Sequence, residues 1–294
     1  MKFSVIIPAY NAQSTLPALL DSLAHQGYPE DFEVIVVDDC STDATADICR
    51  RFGCKFLCCP KNCGPASCRN QGSAGAKGEF LVFTDSDCIV SSDWLQCFER
   101  ALALKDSDAI MGKLVLLPST IMGDAISALG FPAGGSIGFD KVWRVSEDGY
   151  TKSLSSCNFA IRRDIFLELG GFDQSFPHAG GEDSFLAHCL VAAGYKIRYR
   201  PEVIAYHPAR ESFFEFLRWQ FKRGMSSLIF ASKIPRKTEF VSLRLWSTKN
   251  VIKYSFGDRK FPLVLLLLAV SFAAQMSGVL VAKYNSRKAR ACEF

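Results

Sequence analysis

Three short apolar runs in the first ninety residues each stop abruptly, and this repetition restricts the possible folds more than any other feature. They extend from Phe3 to Pro8, from Phe32 to Val37 and from Glu79 to Thr84. Segments with apolar residues at helical spacing separate them, for example Leu16 to Leu23. Short strands alternating with helices are typical of an α/β protein. The sequence therefore predicts a mostly parallel central sheet with helices on both faces.

Each run leads into groups that can bind a ligand. Tyr10-Asn11 follow the first run, Asp38-Asp39 the second, and Asp85-Ser86-Asp87 the third. Ligands of open α/β sheets bind outside the carboxyl ends of the strands. This convergence predicts a site for a polar, nucleotide-like ligand. A dinucleotide cofactor is not expected, because the segment PAYNAQS lacks the glycine fingerprint, and a Walker phosphate loop is absent from the sequence.

The two acids of the third group suggest a metal ion. Asp85 and Asp87 lie two residues apart with no adjacent Lys or Arg, so they repel each other unless a cation lies between them. Mg²⁺ and Mn²⁺ prefer oxygen ligands and share them with substrate phosphates. The alternative is a polar turn after a strand, where Asp and Ser are common.

Composition narrows the class of protein. The net charge of +4 is too small to indicate a nucleic-acid surface, so no nucleic-acid partner is expected. MKFSVIIPAYN is too short in apolar residues for a signal peptide, and the twelve cysteines should remain reduced in a cytosol. Five of them crowd between Cys54 and Cys68 without a CxxC pair. Small buried side chains are the favoured interpretation of this group, and a metal cluster is the alternative.

Several motifs in order resemble glycosyltransferase family 2. They are SVIIPAYN, EVIVVDDCSTD, GPASCRNQG and GEFLVFTDSDC, and later GGFDQSFPHAGGEDSFLAHCLVAAGYKIRY with PEVIAYH. The resemblance covers roughly residues 3 to 224 and implies a Rossmann-like GT-A fold. It also implies transfer of a sugar from a UDP- or GDP-sugar with inversion, aided by Mg²⁺ or Mn²⁺. The alternatives are a sugar-nucleotide nucleotidyltransferase, which would need a glycine- and lysine-rich loop after the first strand, and a catalytically silent membrane scaffold.

The resemblance also assigns residue roles. The implied metal ligands are Asp85, Asp87 and His207, although a lone histidine at this position is often structural. The implied nucleotide-sugar contacts are Pro8, Ala9, Tyr10, Asn11, Asp38, Asp39, Arg69, Asn70, Asp85 and Ser86.

The sequence GGED, residues 180–183, contains the second group of candidate catalytic residues. By the same resemblance Asp183 is the catalytic base, and Glu182 orients the acceptor or Asp183. A positioned carboxylate that accepts the proton of a hydroxyl nucleophile typically contributes about 10²–10⁴-fold to rate. The alternative is capping, because acids are stabilised at the N-terminus of a helix, here predicted from Ser184 to Ala193.

The middle of the chain is less regular. The stretch from Thr120 to Phe139 is either a loop over the acceptor or a helix and turn. The segment from Ser155 to Phe159 resembles the floor of the family's sugar pocket, and the alternative for Asn158 is a turn residue.

The C-terminal third suggests a membrane. Phe213 to Phe230 predicts an amphipathic helix, within a region 211–260 that continues as a basic linker from Lys233 to Arg259. RWQFKRG in this helix resembles the Arg-rich helix of lipid-linked family members. Phe261 to Ala282 has no charge and is long enough to span a bilayer; a buried soluble helix is the alternative. A basic tail, 283–294, follows.

These features predict a catalytic domain at 1–210, with a nucleotide-sugar half at 1–108 and an acceptor half at 109–210. The transmembrane helix would attach this domain to the cytoplasmic or inner membrane, with the catalytic domain in the cytosol. The expected acceptor is then a lipid-linked molecule or a polysaccharide at the membrane surface.

Overall fold

The computed structural model describes residues 1–176, 180–235 and 237–291 of the chain. The chain separates into two compact units, described here one at a time. The first comprises residues 1–117, 144–174 and 182–208, and the second comprises 118–143, 175–181 and 209–294. This grouping cuts across the predicted boundary at residue 210, because two inner segments group with the C-terminal residues. The predicted halves of the catalytic domain remain a prediction.

The first unit contains a nine-stranded sheet. Its strands are β1 (Phe3–Ala9), β2 (Glu33–Asp38), β3 (Lys55–Cys58), β4 (Phe80–Thr84), β5 (Ile89–Val90), β6 (Ala109–Leu116), β7 (Tyr150–Thr151), β8 (Asn158–Arg162) and β9 (Ile197–His207). Its helices are α1 (Leu16–Ala24), α2 (Thr45–Phe52), α3 (Pro65–Ala74), α4 (Trp94–Ala103), α7 (Arg163–Glu168) and α8 (Glu182–Ala192).

The strand order is β3-β2-β1-β4-β8-β6-β9-β5, with β7 paired to β9. The first four strands along the chain are parallel to one another, as the alternation of strands and helices predicts. The α/β fold with flanking helices is therefore confirmed. The later part of the sheet is mixed, because β8 runs antiparallel to both β4 and β6, and β5 and β7 run antiparallel to β9.

Burial explains why the first strands read as continuous apolar runs. Every residue of β1 is buried, as expected for a central strand with both faces covered. Helix α3 packs closely on β1 and β2 at Gly72, where an added Cβ would lie 2.8 Å from the Ile6 side chain and 3.0 Å from that of Val37. This close packing fixes the position of α3, which carries Arg69.

The second unit is helical in the part that the structure describes. Its helices are α5 (Ile121–Ser127), α6 (Phe139–Val142), α9 (Phe213–Lys233), α10 (Lys237–Ser255) and α11 (Phe261–Ala291). The side-chain hydroxyl of Thr120 caps α5, and that of Ser212 caps α9. The stretch 120–139 is therefore a helix and turns. The predicted linker from Lys233 to Arg259 is wrong in part, because α10 occupies most of it; charged residues did not prevent a helix whose Val251 packs into the core of this unit.

Helices α9 and α11 cross at glycines. A Cβ on Gly224 would lie 2.0 Å from the carbonyl oxygen of Gln275, and one on Gly278 would lie 2.1 Å from that of Phe221. Neither position accepts a larger residue without separating the two backbones. The crossing therefore explains the small residues that interrupt the second half of the apolar run.

Helix α11 has two different faces. Val264, Leu267 and Ser271 are buried, whereas Leu266, Phe272 and Leu280 are 60%, 70% and 62% exposed. On the buried side, the Gln275 amide donates to Gln220 Oε1 at 2.7 Å and to Ser271 Oγ at 3.0 Å. Arg244 of α10 donates to Gln275 Oε1 and, at 2.9 Å, to Ser227 Oγ. The residues Phe261–Asn285 are long and apolar enough to cross a membrane by length and composition. The end of the predicted basic tail, 292–294, lies outside the described residues.

Candidate active site

The loops that follow β1 and β2 are tied to each other. Asn11 accepts the backbone N–H of Thr42 at 2.9 Å and donates its own N–H to Ser41 Oγ at 2.8 Å. Asn11 has a positive φ of 49°, which asparagine tolerates better than most residues. Tyr10 is 55% exposed, whereas Pro8 and Ala9 lie inside β1 and are buried. Of these four predicted nucleotide contacts, only Tyr10 and Asn11 present side chains to solvent.

Asp38 and Asp39 are both buried and both organise backbone. Asp38 accepts the N–H of Ser41 at 3.1 Å. Asp39 accepts the N–H groups of Cys63 and Gly64 at 2.7 and 2.9 Å, which shapes the segment that leads into α3. The adjacent acids therefore hold two different loops at the end of β2.

Arg69 is the centre of the charged cluster. It is 3% exposed, and its guanidinium donates to Asp85 Oδ1 at 2.6 Å and to Glu182 Oε1 at 3.3 Å. Burial alone would lower the pKa of Arg69, but the carboxylates of Asp85 and Glu182 outweigh it and raise that pKa. The arginine is thus a permanent buried cation between two acids. Its Nε has no hydrogen-bond partner among the described residues.

An aromatic group supports this arginine. The Arg69 guanidinium carbon lies 5.3 Å from the centre of the Phe172 ring, which packs edge-on against Phe83 of β4. Asn70 donates to the Phe172 carbonyl at 2.7 Å and accepts its N–H at 2.8 Å. Asn70, a predicted nucleotide contact, therefore uses both ends of its amide to hold Phe172. Phe172 was not among the residues predicted from sequence, although the triplet GGF marks its position. Gly171 is needed there because an added Cβ would lie 2.5 Å from Asn70 Oδ1.

Asp87 lies beside His207, whereas Asp85 is paired with Arg69. Strands β5 and β9 pair with Ile89 opposite Tyr206, and this register brings the residues just beyond them together. His207 Nε2 lies 3.3 Å from Asp87 Oδ1, and Nδ1 lies 2.6 Å from the carbonyl oxygen of Pro208. A carbonyl only accepts, so Nδ1 carries a proton. A neutral ring would then present a lone pair at Nε2, whereas a protonated ring would donate from Nε2 to Asp87.

In the tautomer with its lone pair at Nε2, His207 and the Asp87 carboxylate together suit a cation. Asp87, Cys88 and His207 offer ligand atoms within 4.8 Å of one another. Carboxylate and imidazole both suit Mn²⁺, and the backbone carbonyl on Nδ1 is the usual partner of a metal-binding histidine. Asp85 is held by Arg69, and Ser86 is half-buried in the turn between the two acids.

The second acid pair opens α8. Glu182 is 2% exposed and faces Arg69, whereas Asp183 is partly exposed and accepts the N–H of Ser184 at 2.7 Å. From sequence, these acids were expected in the acceptor half of the domain, away from the donor-binding strand ends. In the structure Arg69 joins Glu182 to Asp85, so the start of α8 adjoins the end of β4.

Asn158 is a buried connector at the start of β8 and not a turn residue. Its amide accepts from Trp94 Nε1 at 2.9 Å and donates to the carbonyls of Lys113 and Val203 at 2.8 and 2.9 Å. Gly112 leaves room for it, since an added Cβ would lie 2.3 Å from Asn158 Nδ2. These bonds hold β8, β6 and β9 in place beneath the site.

Comparison with known proteins identifies the family. The family described as Glycosyl transferase family 2 matches residues 4–170, more than half of the chain. The chain belongs to glycosyltransferase family 2. This assignment confirms the resemblance of the sequence motifs, and the protein is a glycosyltransferase.

Relatives of this family 2 glycosyltransferase include archaeal and bacterial enzymes. Glycosyltransferase AglE of Haloferax volcanii is 28% identical over 83% of this chain and 79% of its own length. Poly(ribitol-phosphate) beta-N-acetylglucosaminyltransferase TarS of Staphylococcus aureus is 38% identical over 39% of this chain, but the match spans only 21% of TarS.

Two solved structures share the fold of this glycosyltransferase. Residues 1–349 of S. aureus TarS match with a TM-score of 0.53 and 22% identity, over 98% of this chain and 92% of that one. The mannosyltransferase PcManGT of Pyrobaculum calidifontis matches with a TM-score of 0.59 and 21% identity, over 98% of this chain and 80% of that one. These likenesses support the GT-A fold predicted from sequence.

Proposed function

We propose that this protein is an inverting, metal-assisted glycosyltransferase. It moves a sugar from a nucleotide-diphosphate donor to a hydroxyl of an acceptor, with Asp183 as general base. One observation carries the proposal: Arg69 binds one acid from each adjacent pair, Asp85 and Glu182, and leaves Asp87 and Asp183 partly exposed. Asp87 and Asp183 have different surroundings, which suits a metal ligand in the first case and a general base in the second.

The proposed donor is a UDP- or GDP-sugar. Solved structures of TarS contain UDP or UDP-GlcNAc, and that of PcManGT contains GDP-Man and Mn²⁺. In this chain the proposed contacts are the exposed strand ends at Tyr10 and Asn11, together with Asp38 and Ser86. Asn70 and Asp39 would act indirectly, through the loops that they hold.

Asp87 and His207 would hold a divalent cation, with Asp85 as a further proposed ligand. Mn²⁺ or Mg²⁺ supplies Lewis-acid neutralisation of the diphosphate oxygens. His207 suits this role because its Nδ1–H is already committed to the Pro208 carbonyl. Arg69, buried and permanently charged, adds positive potential at the same strand end.

Transfer then proceeds in one displacement. The acceptor oxygen forms a bond to the anomeric carbon while the bond from that carbon to the diphosphate oxygen breaks, and the leaving diphosphate takes the electron pair. Asp183 takes the proton of the acceptor hydroxyl. Attack opposite the leaving group inverts the anomeric configuration. Glu182, held on Arg69, positions the first turn of α8 and therefore Asp183.

We infer that the protein attaches to a membrane through α11 and that its acceptor is lipid-linked or a polysaccharide at that surface. The exposed face of α11 is a continuous apolar strip that includes Leu266, Phe272 and Leu280. A helix that crosses the bilayer, as the sequence predicts, would hold Gln275 and the Arg244 guanidinium near the bilayer centre, where a charged side chain costs about 2.5–3.5 kcal/mol. A helix lying along the surface would bury only its apolar face. The contact between Arg244 and Gln275 favours the second arrangement.

A reporter at the C-terminus separates these two arrangements. Alkaline phosphatase is active only outside the cytosol, whereas green fluorescent protein fused to the same position fluoresces only inside it. A surface helix predicts a fluorescent fusion and an inactive phosphatase. An active phosphatase with a dark fluorescent fusion would establish the crossing helix.

The donor is tested by binding and turnover together. A panel of nucleotide sugars should raise the melting temperature of the full chain more with Mn²⁺ than with chelator, because a ligand that binds only the native state stabilises it. The stabilising donor should then lose its sugar to a membrane-extracted acceptor with inverted configuration. Release of diphosphate from a nucleoside triphosphate and a sugar phosphate would instead support a nucleotidyltransferase.

A further inference from the structure

Four candidate metal ligands meet where β2 ends and α3 begins, apart from the Asp87–His207 pair. They are Asp39 after β2, Cys59 and Cys63 between β3 and α3, and Cys68 in the first turns of α3. One ligand atom from each lies within 4.8 Å of the other three. All four belong to the first compact unit. The fold brings Asp39 to the cysteines, and this explains why their spacing alone did not reveal a metal motif.

The distances fit a tetrahedral site. Zn–S bonds of about 2.3 Å and Zn–O bonds of about 2.0–2.2 Å place neighbouring ligands roughly 3.8 Å (S to S) and 3.5 Å (S to O) apart. Cys59 Sγ lies 3.6 Å from Cys68 Sγ, and Cys63 Sγ lies 3.4 Å from Asp39 Oδ1. Both separations are within a few tenths of an ångström of those edges.

The carboxylate is oriented before an ion arrives. Asp39 is 5% exposed, and the backbone N–H groups of Cys63 and Gly64 bind its two oxygens from the protein side. The Gln71 amide lies 3.1 Å from Cys59 Sγ, where it accepts from the thiol, and with the amide turned over its N–H would donate to the thiolate. Such outer contacts are typical of metal ligands. Within the described part of the chain, no lysine or arginine forms an ion pair with Asp39, so its buried charge lacks a protein cation.

We propose that Asp39, Cys59, Cys63 and Cys68 bind one zinc ion. Three sulfurs select a thiophilic ion and exclude Mg²⁺, and four protein ligands close the coordination shell, as in structural zinc sites. On binding, the three thiols lose their protons to solvent and the thiolates coordinate the ion. Cys59 and Cys68 are 2% and 0% exposed, so the ion is shielded from water on that side.

Zinc would fasten the end of β2 to the segment that enters α3. Arg69 directly follows Cys68, so the ion restrains the helix turn that carries the central arginine. Its role is structural, and it is independent of the identity of the sugar donor. The proposed zinc would therefore be retained even if the protein transfers no sugar.

The test uses the full chain in detergent, reduced and stripped of metal. Zinc affinity is measured by competition with a chromophoric chelator, and Co²⁺ serves as a spectroscopic probe because thiolate coordination gives charge-transfer absorption. Cys63→Ser removes one ligand at a half-buried position. Cys54→Ser is the matched control, since Cys54 is also half-buried and lies one strand away outside the cluster.

We expect one zinc per chain for the native protein and for Cys54→Ser, with Co²⁺ charge-transfer bands in both. Cys63→Ser should bind zinc at least about 10-fold more weakly and lose the increase in melting temperature that zinc gives. Metal-free melting temperatures show whether each variant folds. Equal zinc affinity in Cys63→Ser and the native chain would overturn the proposal. So would a native protein that binds no zinc when all its thiols are reduced, or one in which Cys59 and Cys68 form a disulfide that leaves zinc unbound.

Discussion

Two pairs of neighbouring acids, one after β4 and one at the start of α8, are treated alike by the fold. In each pair one acid, the inward acid, forms an ion pair with Arg69, and the other, the outward acid, is partly exposed. Glu182 is buried, whereas the Asp85 side chain is still 31% exposed. Asp85 and Glu182 thus share one buried cation. Asp87 and Asp183 remain accessible, the first beside His207 and the second in the first turn of a helix.

The two accessible acids differ in what surrounds them. Asp87 lies 3.3 Å from Nε2 of His207, and the two side chains are the proposed cation ligands. Asp183 accepts the N–H of Ser184 at 2.7 Å and lies where a helix N-terminus stabilises its charged form. We therefore expect the inward acids to hold the geometry of the site and the outward acids to carry its proposed chemistry. Five substitutions test this division, and they are given in order of decreasing expected effect.

Replacing Arg69 should have the largest effect, because it leaves two inward acids without their cation. We expect Arg69→Met to lower the free energy of unfolding by roughly 3–5 kcal/mol, the usual result of breaking a buried ion pair from one side. Denaturant unfolding of the full chain measures it. Arg162→Met removes an exposed pair with Asp164 and should cost no more than about 1 kcal/mol. Equal losses in the two variants would refute the central role of Arg69.

Asp183→Asn should separate chemistry from donor binding. The amide keeps the size of the side chain and some capping ability, but it cannot accept the acceptor's proton, so transfer should fall by roughly 10²–10⁴-fold. Donor affinity and melting temperature should change little, which marks an interaction made in the transition state. If the residue only caps α8, Asp183→Asn will keep near-normal turnover and Asp183→Ala will melt at a lower temperature.

Asp87→Asn and Asp85→Asn should affect different properties, the first Mn²⁺ affinity and the second stability. Losing the outward acid should weaken Mn²⁺ binding by at least about 10-fold while leaving stability nearly intact. Losing the inward acid should lower stability, because Arg69 loses one partner. Calorimetric titration with Mn²⁺ and thermal melting of both variants measure the two effects. Identical behaviour of the two variants would show that the acids act as one unit.

His207→Gln should give the smallest change. Glutamine can still offer an oxygen near Asp87, so Mn²⁺ affinity should fall by no more than about 10-fold, with donor binding reduced only where Mn²⁺ is limiting. Activity measured against Mn²⁺ concentration should therefore recover at saturation. Activity that stays low at saturating Mn²⁺ would assign His207 a role other than metal binding.

Much of this site could be predicted because its signals are local. An apolar strand that stops at Asp85 or Asp38 places those acids at the sheet rim, whatever the rest of the chain does. The partner of Arg69 could not be predicted, since Glu182 lies 113 residues away in sequence. Asn70 and Asn158 look like ligand contacts or turn residues in sequence. Asn70 instead binds the backbone of Phe172, and Asn158 binds the Trp94 side chain and carbonyls of β6 and β9, all far away in sequence. The segment after α9 was predicted as a linker because of its many charged residues. Its apolar residues, such as Val251, instead pack in the core as part of helix α10.

The pairing of β5 with β9 also sets the order in which the protein matures. Asp87 leaves the ribosome early, whereas His207 is the last residue of β9 and arrives much later in synthesis. Chains grow at about 5–20 residues per second, so the nascent enzyme passes several seconds with half of its proposed cation site. Until β9 has been made and paired, the Asp87–His207 pair cannot form. Binding of the proposed cation would thereby be restricted to chains whose sheet is complete, and an unfinished chain would gain no stability from the metal.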